Sequence, residues 1–335
     1  MSLLCWLWDV SLNHVHALFA LGSPYGPPAL AGAFVCSVLF YLHRRYRQGR
    51  AVGVKDFFHA IFPARIIWHP STRLDIRFWL VNGLIITSAY SLLSIGGLTC
   101  RDAMIAVLTK GFGEHAPTLW PTWIVLPLAT LLELLAYELA YWFGHYLFHR
   151  YAFLWEFHKV HHSAEVMTTF TELRQHPIEI LAFVNLIAIA TGSVFGVMTY
   201  VFGPGAQPFT LLNGNIALAI FIITYGHLRH SHMWISFTGL PGKLLQSPAH
   251  HQLHHSDNPL HWDKNLGFAL ACYDWLFGTL YIPQKTREDI TFGVGAENPE
   301  FRTLTGDFLM PFVRSARHLA RWIHSAAPIT ATGPE

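Results

Sequence analysis

Four histidine-rich segments sit beside stretches apolar enough to span a membrane, and this pairing constrains the fold more than any other feature of the chain. The segments are His145-x-x-x-His149, His158-x-x-His161-His162, His227-x-x-His230 and His251-x-x-His254-His255. On a helix, residues i, i+3 and i+4 share one face, so each segment can aim two or three imidazoles at one point. Imidazole is a leading ligand for iron, zinc and copper. The sequence holds 22 histidines, as many as lysine and arginine together, and fourteen lie between His145 and His261. The other eight, among them His43, His115 and His318, show no spacing pattern and read as surface, interface or packing residues.

The chain is 52% hydrophobic and only 13% charged. Ordinary soluble domains are about a quarter charged, so the class is an integral membrane protein. The formal net charge of +2 gives no reason to expect a nucleic-acid partner. Four scattered cysteines, without a C-x-x-C pair, are neither a disulfide framework nor a thiolate metal site.

A spanning helix needs about 20 largely apolar residues. Candidates fall near 26–43, 78–99, 121–144, 178–202 and 208–228, the last two being open to reading as a hairpin that does not fully cross. No removable signal peptide is expected, because the N-terminus lacks a basic region. Residues 3–20 read as an interfacial or lumenal helix. The basic segment 44–77 should be cytoplasmic by charge bias, and alternation from there puts all four histidine segments on that side. The expected fold is all-α: a multi-pass membrane helical bundle with a cytoplasmic helical cap that carries the histidines. Three regions follow: an N-terminal membrane region 1–120, a histidine-bearing domain 121–285, and a C-terminal region 286–335. Within the last, 307–323 has the pattern of a basic amphipathic helix, suited to a membrane surface or to its own domain. The last ten or so residues read as disordered.

Two H-x-x-H-H units and one H-x-x-x-H supply eight imidazoles: His145, His149, His158, His161, His162, His251, His254 and His255. A single metal takes about four protein ligands, so the count implies two metals. Spacing alone leaves zinc and manganese open, and iron is the natural choice if the task is oxygen activation. A lone histidine is usually a satisfied polar residue, but three clusters in helical register are poorly explained that way.

Further residues surround these units. Glu138 precedes His145 and His149 by seven and eleven positions, Arg174-x-His176-Pro177-x-Glu179 follows the second unit, and His230-Ser231 precedes the third. After Pro248-x-x-His251-x-x-His254-His255-Ser256 come His261-x-Asp263-x-Asn265-x-Gly267 and Asp274-Trp275-Leu276-Phe277-Gly278-Thr279. Across roughly 130–285 this pattern resembles the fatty acid hydroxylase / sterol desaturase superfamily of membrane di-iron oxygenases. Tyr146 departs from it, since an arginine usually follows the first histidine; His232 stands where an asparagine is common, and His227 and His250 are additions.

The resemblance implies O2-dependent hydroxylation or desaturation of an unactivated C–H bond of a lipid, with two iron ions as cofactors, replaceable by zinc in purified material. His176 and His230 join the eight as candidate ligands. His227, His232, His250 and His261 rank lower, as ligands or as neighbours of ligands. Glu138, Glu172, Glu179, Asp263 and Asp274 are candidates to orient imidazoles by accepting their free N–H, and Glu138 stands out because a carboxylate inside a span is expensive. Arg174 is expected to meet a carboxylate or a lipid headgroup. The partners implied are a lipid substrate, the bilayer and a separate electron donor, in a bacterial inner membrane or the endoplasmic reticulum. The reading from another class is a membrane metal transporter or metal-binding protein; ligands gathered at one side, rather than along a path, argue against it.

Overall fold

The computed structural model describes residues 25–326, together with Leu12, Ala20 and Ser23. The expected helix over 3–20 and the expected disordered last ten residues lie largely outside the described residues. Helices carry the fold: α1 (Pro27–Arg47), α2 (Val54–Ile61), α3 (Ala64–Ile67), α4 (Pro70–Leu93), α5 (Gly97–Phe112), α6 (Thr122–Arg150), α7 (Ala152–His162), α8 (Pro177–Phe202), α9 (Ile216–Thr224), α10 (Gly239–Leu244), α11 (Pro248–His254), α12 (Cys272–Phe277) and α13 (Leu304–Ala326). Among the described residues the sheet content is one hairpin, β1 (Thr210–Leu211) against β2 (Gly214–Asn215).

Two of these helices, α6 and α8, are long and apolar enough to cross a membrane. The 29 residues of α6 extend about 43 Å, against a hydrocarbon core of about 30 Å. Its last turns therefore reach past the apolar length, and they carry His145 and His149. Pro177 starts α8, where its missing N–H costs nothing. Helices also form at the first two expected spans, but α4 begins at Pro70, so Arg73, Asp75 and Arg77 lie in its opening turns.

The structure departs from the expected spans in two places. Between the second and third of them, where none was expected, α5 runs to Phe112 and packs along α8. The reason is the Gly192-x-x-x-Gly196 pair on α8. A Cβ at Gly192 would stand 2.5 Å from the Gly97 carbonyl oxygen, and one at Gly196 2.7 Å from that of Arg101. Only glycine lets the two backbones approach so closely. The apolar stretch 208–228 is also not one long helix. Leu212 and Asn213 take left-handed backbone angles in the hairpin turn, and Asn215 caps the nine-residue α9 by accepting from the Ala217 N–H. At about 13 Å, α9 is too short to cross a bilayer.

A buried guanidinium joins the helices around the histidine region. Arg174 donates to Asp75 of α4 at 3.0 Å, to Ser163 at 2.9 Å, to the Phe301 carbonyl at 2.7 Å and to Asp307 of α13 at 3.2 Å. A charge removed from water persists only when it is paired and hydrogen-bonded in this way. Two of its four partners are protein carboxylates.

Candidate metal centre

Nine of the ten histidines expected as ligands come together in two groups. His145, His149, His158, His162 and His254 form one, and His161, His230, His251 and His255 form the other. Within each group the candidate ligand nitrogens all lie within 4.8 Å of one another. The H-x-x-H-H spacing produces this division. In α7, His158 and His162 (i, i+4) point into the first group, and His161 turns to the second. In α11 and its C-cap residue His255 the arrangement is reciprocal: His251 and His255 serve the second group, and His254 reaches across to the first. The 226–230 turn after α9 delivers His230.

The nitrogens are arranged as ligands would be. In the first group four Nδ1 atoms have partners outside the group: His145 with the Leu266 carbonyl at 2.7 Å, His149 with Asp263 at 3.1 Å, His158 with Glu179 at 2.8 Å and His254 with the Lys264 carbonyl at 2.8 Å. Those bonds fix the tautomer and leave the Nε2 lone pairs facing inward. The Nε2 atoms of His149 and His254 are buried without a hydrogen-bond partner. In the second group, Nε2 of His230 lies 3.2 Å from that of His161, 3.2 Å from that of His255 and 2.8 Å from that of His251. Such a meeting of lone pairs calls for cations.

Protons are poor candidates for that charge. Burial holds His158, His162, His230, His251, His254 and His255 well below the usual histidine range, and takes His161 down to about 3. Neutral imidazoles at this spacing, without a thiolate, fit two first-row divalent metals, iron among them.

The remaining histidines have other partners. His176 caps α8, accepting from the Ile178 N–H at 3.2 Å, and lies outside both groups. His227 pairs with Glu172 at 3.2 Å, and His232 with the Ala60 carbonyl at 2.7 Å. His250 forms the capping box of α11 with Ser247. His261 stands 3.8 Å from Glu288. These four also lie outside both groups.

Among the carboxylates, Glu179 and Asp263 touch imidazoles of the first group directly. Glu138 acts through the backbone: it accepts from the N–H groups of Phe268, Ala269 and Leu270 at 2.9–3.3 Å. Asp274 accepts from the Leu266 and Gly267 N–H groups at 2.8 and 2.9 Å, and so fixes the loop whose Leu266 carbonyl holds His145. Asp263 and Asn265 both take left-handed backbone angles, which shape the turn between α11 and that loop. Glu172 pairs with Arg229 at 3.1 Å as well as with His227. Burial pushes its carboxyl up, but His227 and Arg229 outweigh burial and hold it below the usual carboxylate range.

Sequence reasoning missed the backbone acceptors Leu266 and Lys264, which no side-chain pattern marks. It also missed Arg229, whose guanidinium lies over the Phe268 ring at 4.3 Å and ties the His230 turn to Glu172.

Two cavities meet the histidines from different sides. One, of 230 Å³, reaches His161 and His230 and is lined by Tyr141, Phe183, Val184, Ile187 and Ile222, with Glu172 and Arg229 at its polar end. The other, of 520 Å³, reaches His149, His162, His254 and His255 and is lined by Trp155 and Trp262. Of the aromatic run before the second histidine unit, Tyr141 thus lines the first cavity and Trp155 the second. Phe148 and Phe157 are core, and Trp142 donates to Asp274 at 3.2 Å.

Residues 130–279 match the family model described as fatty acid hydroxylase. The similar proteins include an alkylglycerol monooxygenase of Caenorhabditis elegans, 26% identical over 63% of this chain and 42% of the relative. The alkylglycerol monooxygenase of Xenopus tropicalis is 31% identical over 45% of this chain and 30% of the relative. The ornithine lipid hydroxylase OlsE of Rhizobium tropici is 25% identical over 68% of this chain and 66% of the relative. The chain thus spans less than half the length of the alkylglycerol monooxygenases that it matches. No solved structure gives a significant match.

Proposed function

We propose that this chain, whose residues 130–279 match the fatty acid hydroxylase family model, is a membrane lipid hydroxylase that uses O2 and two iron ions. The observation that carries this reading is the pair of adjoining imidazole groups beside a cavity with an apolar wall. The relatives named for lipid hydroxylation support the substrate class.

His145, His149, His158, His162 and His254 would hold one ion, and His161, His230, His251 and His255 the other. Bound iron supplies the redox chemistry that O2 activation requires. The chain's own residues do the rest. Glu179 and Asp263 hold the His158 and His149 rings by their Nδ1 atoms, and Glu138 and Asp274 hold the loop behind His145. Tyr141, Phe183, Val184 and Ile187 receive an alkyl chain and keep water from it. Glu172 and Arg229 give the same cavity a polar end, which suits a lipid whose reacting carbon lies near a polar group.

The second cavity faces the other flank of the histidines and offers a separate electron donor an approach that does not cross the lipid. By its apolar stretches the chain is multi-pass, and by the charge bias of the segments between them that flank is cytoplasmic. Lipid mass spectrometry of cells with and without the protein under 18-O2 tests the reaction. A lipid carrying one 18-O supports hydroxylation, an unlabelled lipid lacking two hydrogens means desaturation at the same site, and no change in any lipid contradicts the enzyme reading.

A further inference from the structure

Helix α13 turns an ion-pairing face inward, beside Phe308 stacked on Phe78, and leaves a broad apolar face exposed. Asp307, Pro311, Arg314 and His318 follow each other at helical spacing and pack inward. Asp307 meets Arg174. Arg314 pairs with Glu300 at 2.6 Å and with Glu297, and His318 with Glu156 of α7 at 3.2 Å. Lys159, also on α7, closes the network at 2.9 Å from both Glu156 and Glu297. The opposite face carries Leu309, Phe312, Val313, Leu319 and Ile323, which are 57%, 49%, 43%, 36% and 59% exposed. A helix docked on a water-soluble surface has the reverse arrangement.

The position of that face identifies what covers it. The Phe312 ring lies 5.3 Å from His176, the residue that caps α8. The apolar face of α13 therefore adjoins the end of a helix long and apolar enough to cross a bilayer. Arg317 and Arg321 are exposed along one flank, placed for anionic headgroups. We propose that α13 lies in the plane of the membrane, with Leu309, Phe312, Val313, Leu319 and Ile323 in the acyl layer of one leaflet. Its inward face is tied to α7, the helix of His158, His161 and His162, through Glu156 and through Glu297, which Lys159 and Arg314 share. The bilayer surface thereby sets the depth of the metal centre relative to lipid entering the first cavity. The inference rests on the membrane setting of the proposed function, and on neither the iron nor the reaction.

The test uses the full chain with its four native cysteines replaced by serine, in nanodiscs of phosphatidylcholine with phosphatidylglycerol. Single variants Val313→Cys, Leu319→Cys, Ile189→Cys on the exposed side of α8, and Arg302→Cys each carry an environment-sensitive fluorophore. Labels at 313, 319 and 189 should lose fluorescence to brominated lipid and resist aqueous iodide, and the label at 302 should do the reverse. Iodide quenching at 313 and 319 would overturn the proposal. So would protection there from both quenchers, which means a second copy or another segment of the chain covers the face. In either case lipid quenching at 189 leaves the membrane reading standing. If 189 also escapes lipid, both readings fail.

Discussion

His162 and His255 stack at 4.4 Å between ring centroids, with planes 24° apart, yet their nitrogens belong to different groups. The two groups are thus one centre with a shared wall. A change at either ring should be felt on both sides. We expect His162→Ala and His255→Ala each to lower binding of both metals, and His149→Ala, at the outer edge, to affect mainly one. Metal titration of the purified variants with ferrous iron measures this; fully independent losses would contradict the shared wall.

Glu179 reaches His158 at 2.8 Å and is itself fully buried, whereas the Asp263 side chain that reaches His149 is 66% exposed. Removing an acceptor that orients a ligand costs about 10–100-fold in metal affinity. Glu179→Gln should fall in that range. Asp263→Asn should cost less, because water can replace an exposed carboxylate. Competition with a coloured chelator ranks the two, and equal losses would remove the distinction.

Gly192→Leu should loosen α5 from α8 without touching the histidines. Its side chain would enter the space of the Gly97 carbonyl, and overpacking of this kind costs about 1–3 kcal/mol. Thermal unfolding in detergent should show the loss, with metal content per folded molecule unchanged.

Asp307 shares the Arg174 guanidinium with Asp75. Burial, opposed by Arg174, pushes its carboxyl up to about 7. The folded value lies above the unfolded one, so its contribution to stability is full below about pH 4 and is lost as pH rises through 7. The whole shift corresponds to a loss of up to about 4 kcal/mol. Asp307→Asn should flatten that part of the stability profile between pH 4 and 7, as read by thermal unfolding at fixed ionic strength.

Filling the apolar cavity tests the lipid path. Val184→Trp should lower kcat/KM for a long-chain lipid by about tenfold, ~1.4 kcal/mol, with metal content intact. An unchanged rate would place the lipid elsewhere.

The clustering of the nine histidines was legible because helical spacing fixes which imidazoles share a face. Which group each joined was not, because it depends on how α7 and α11 face each other, and that is a property of packing. His176, expected among the ligands, lies outside both groups for a related reason. A histidine before proline can cap a helix as readily as it can bind metal, and only the position of α8 decides between them. Glu138 was marked by its cost inside an apolar helix, yet its partners are three backbone N–H groups from a loop 130 residues away, which no pattern announces. The hairpin at 210–215 went unread because the apolar run hid the Asn213-Gly214 turn. The exposed apolar face of α13 follows from ion pairs to α7 that the sequence does not reveal.

The central claim is that nine imidazoles hold two metals in adjoining groups. Iron content of the purified protein, reconstituted anaerobically with ferrous iron and compared with His230→Ala and His43→Ala, tests it most directly. The account predicts two irons per chain for the wild type and for His43→Ala, and loss of the His161, His230, His251 and His255 ion in His230→Ala. A wild type that binds a single metal, or a His230→Ala variant that retains both, would contradict it.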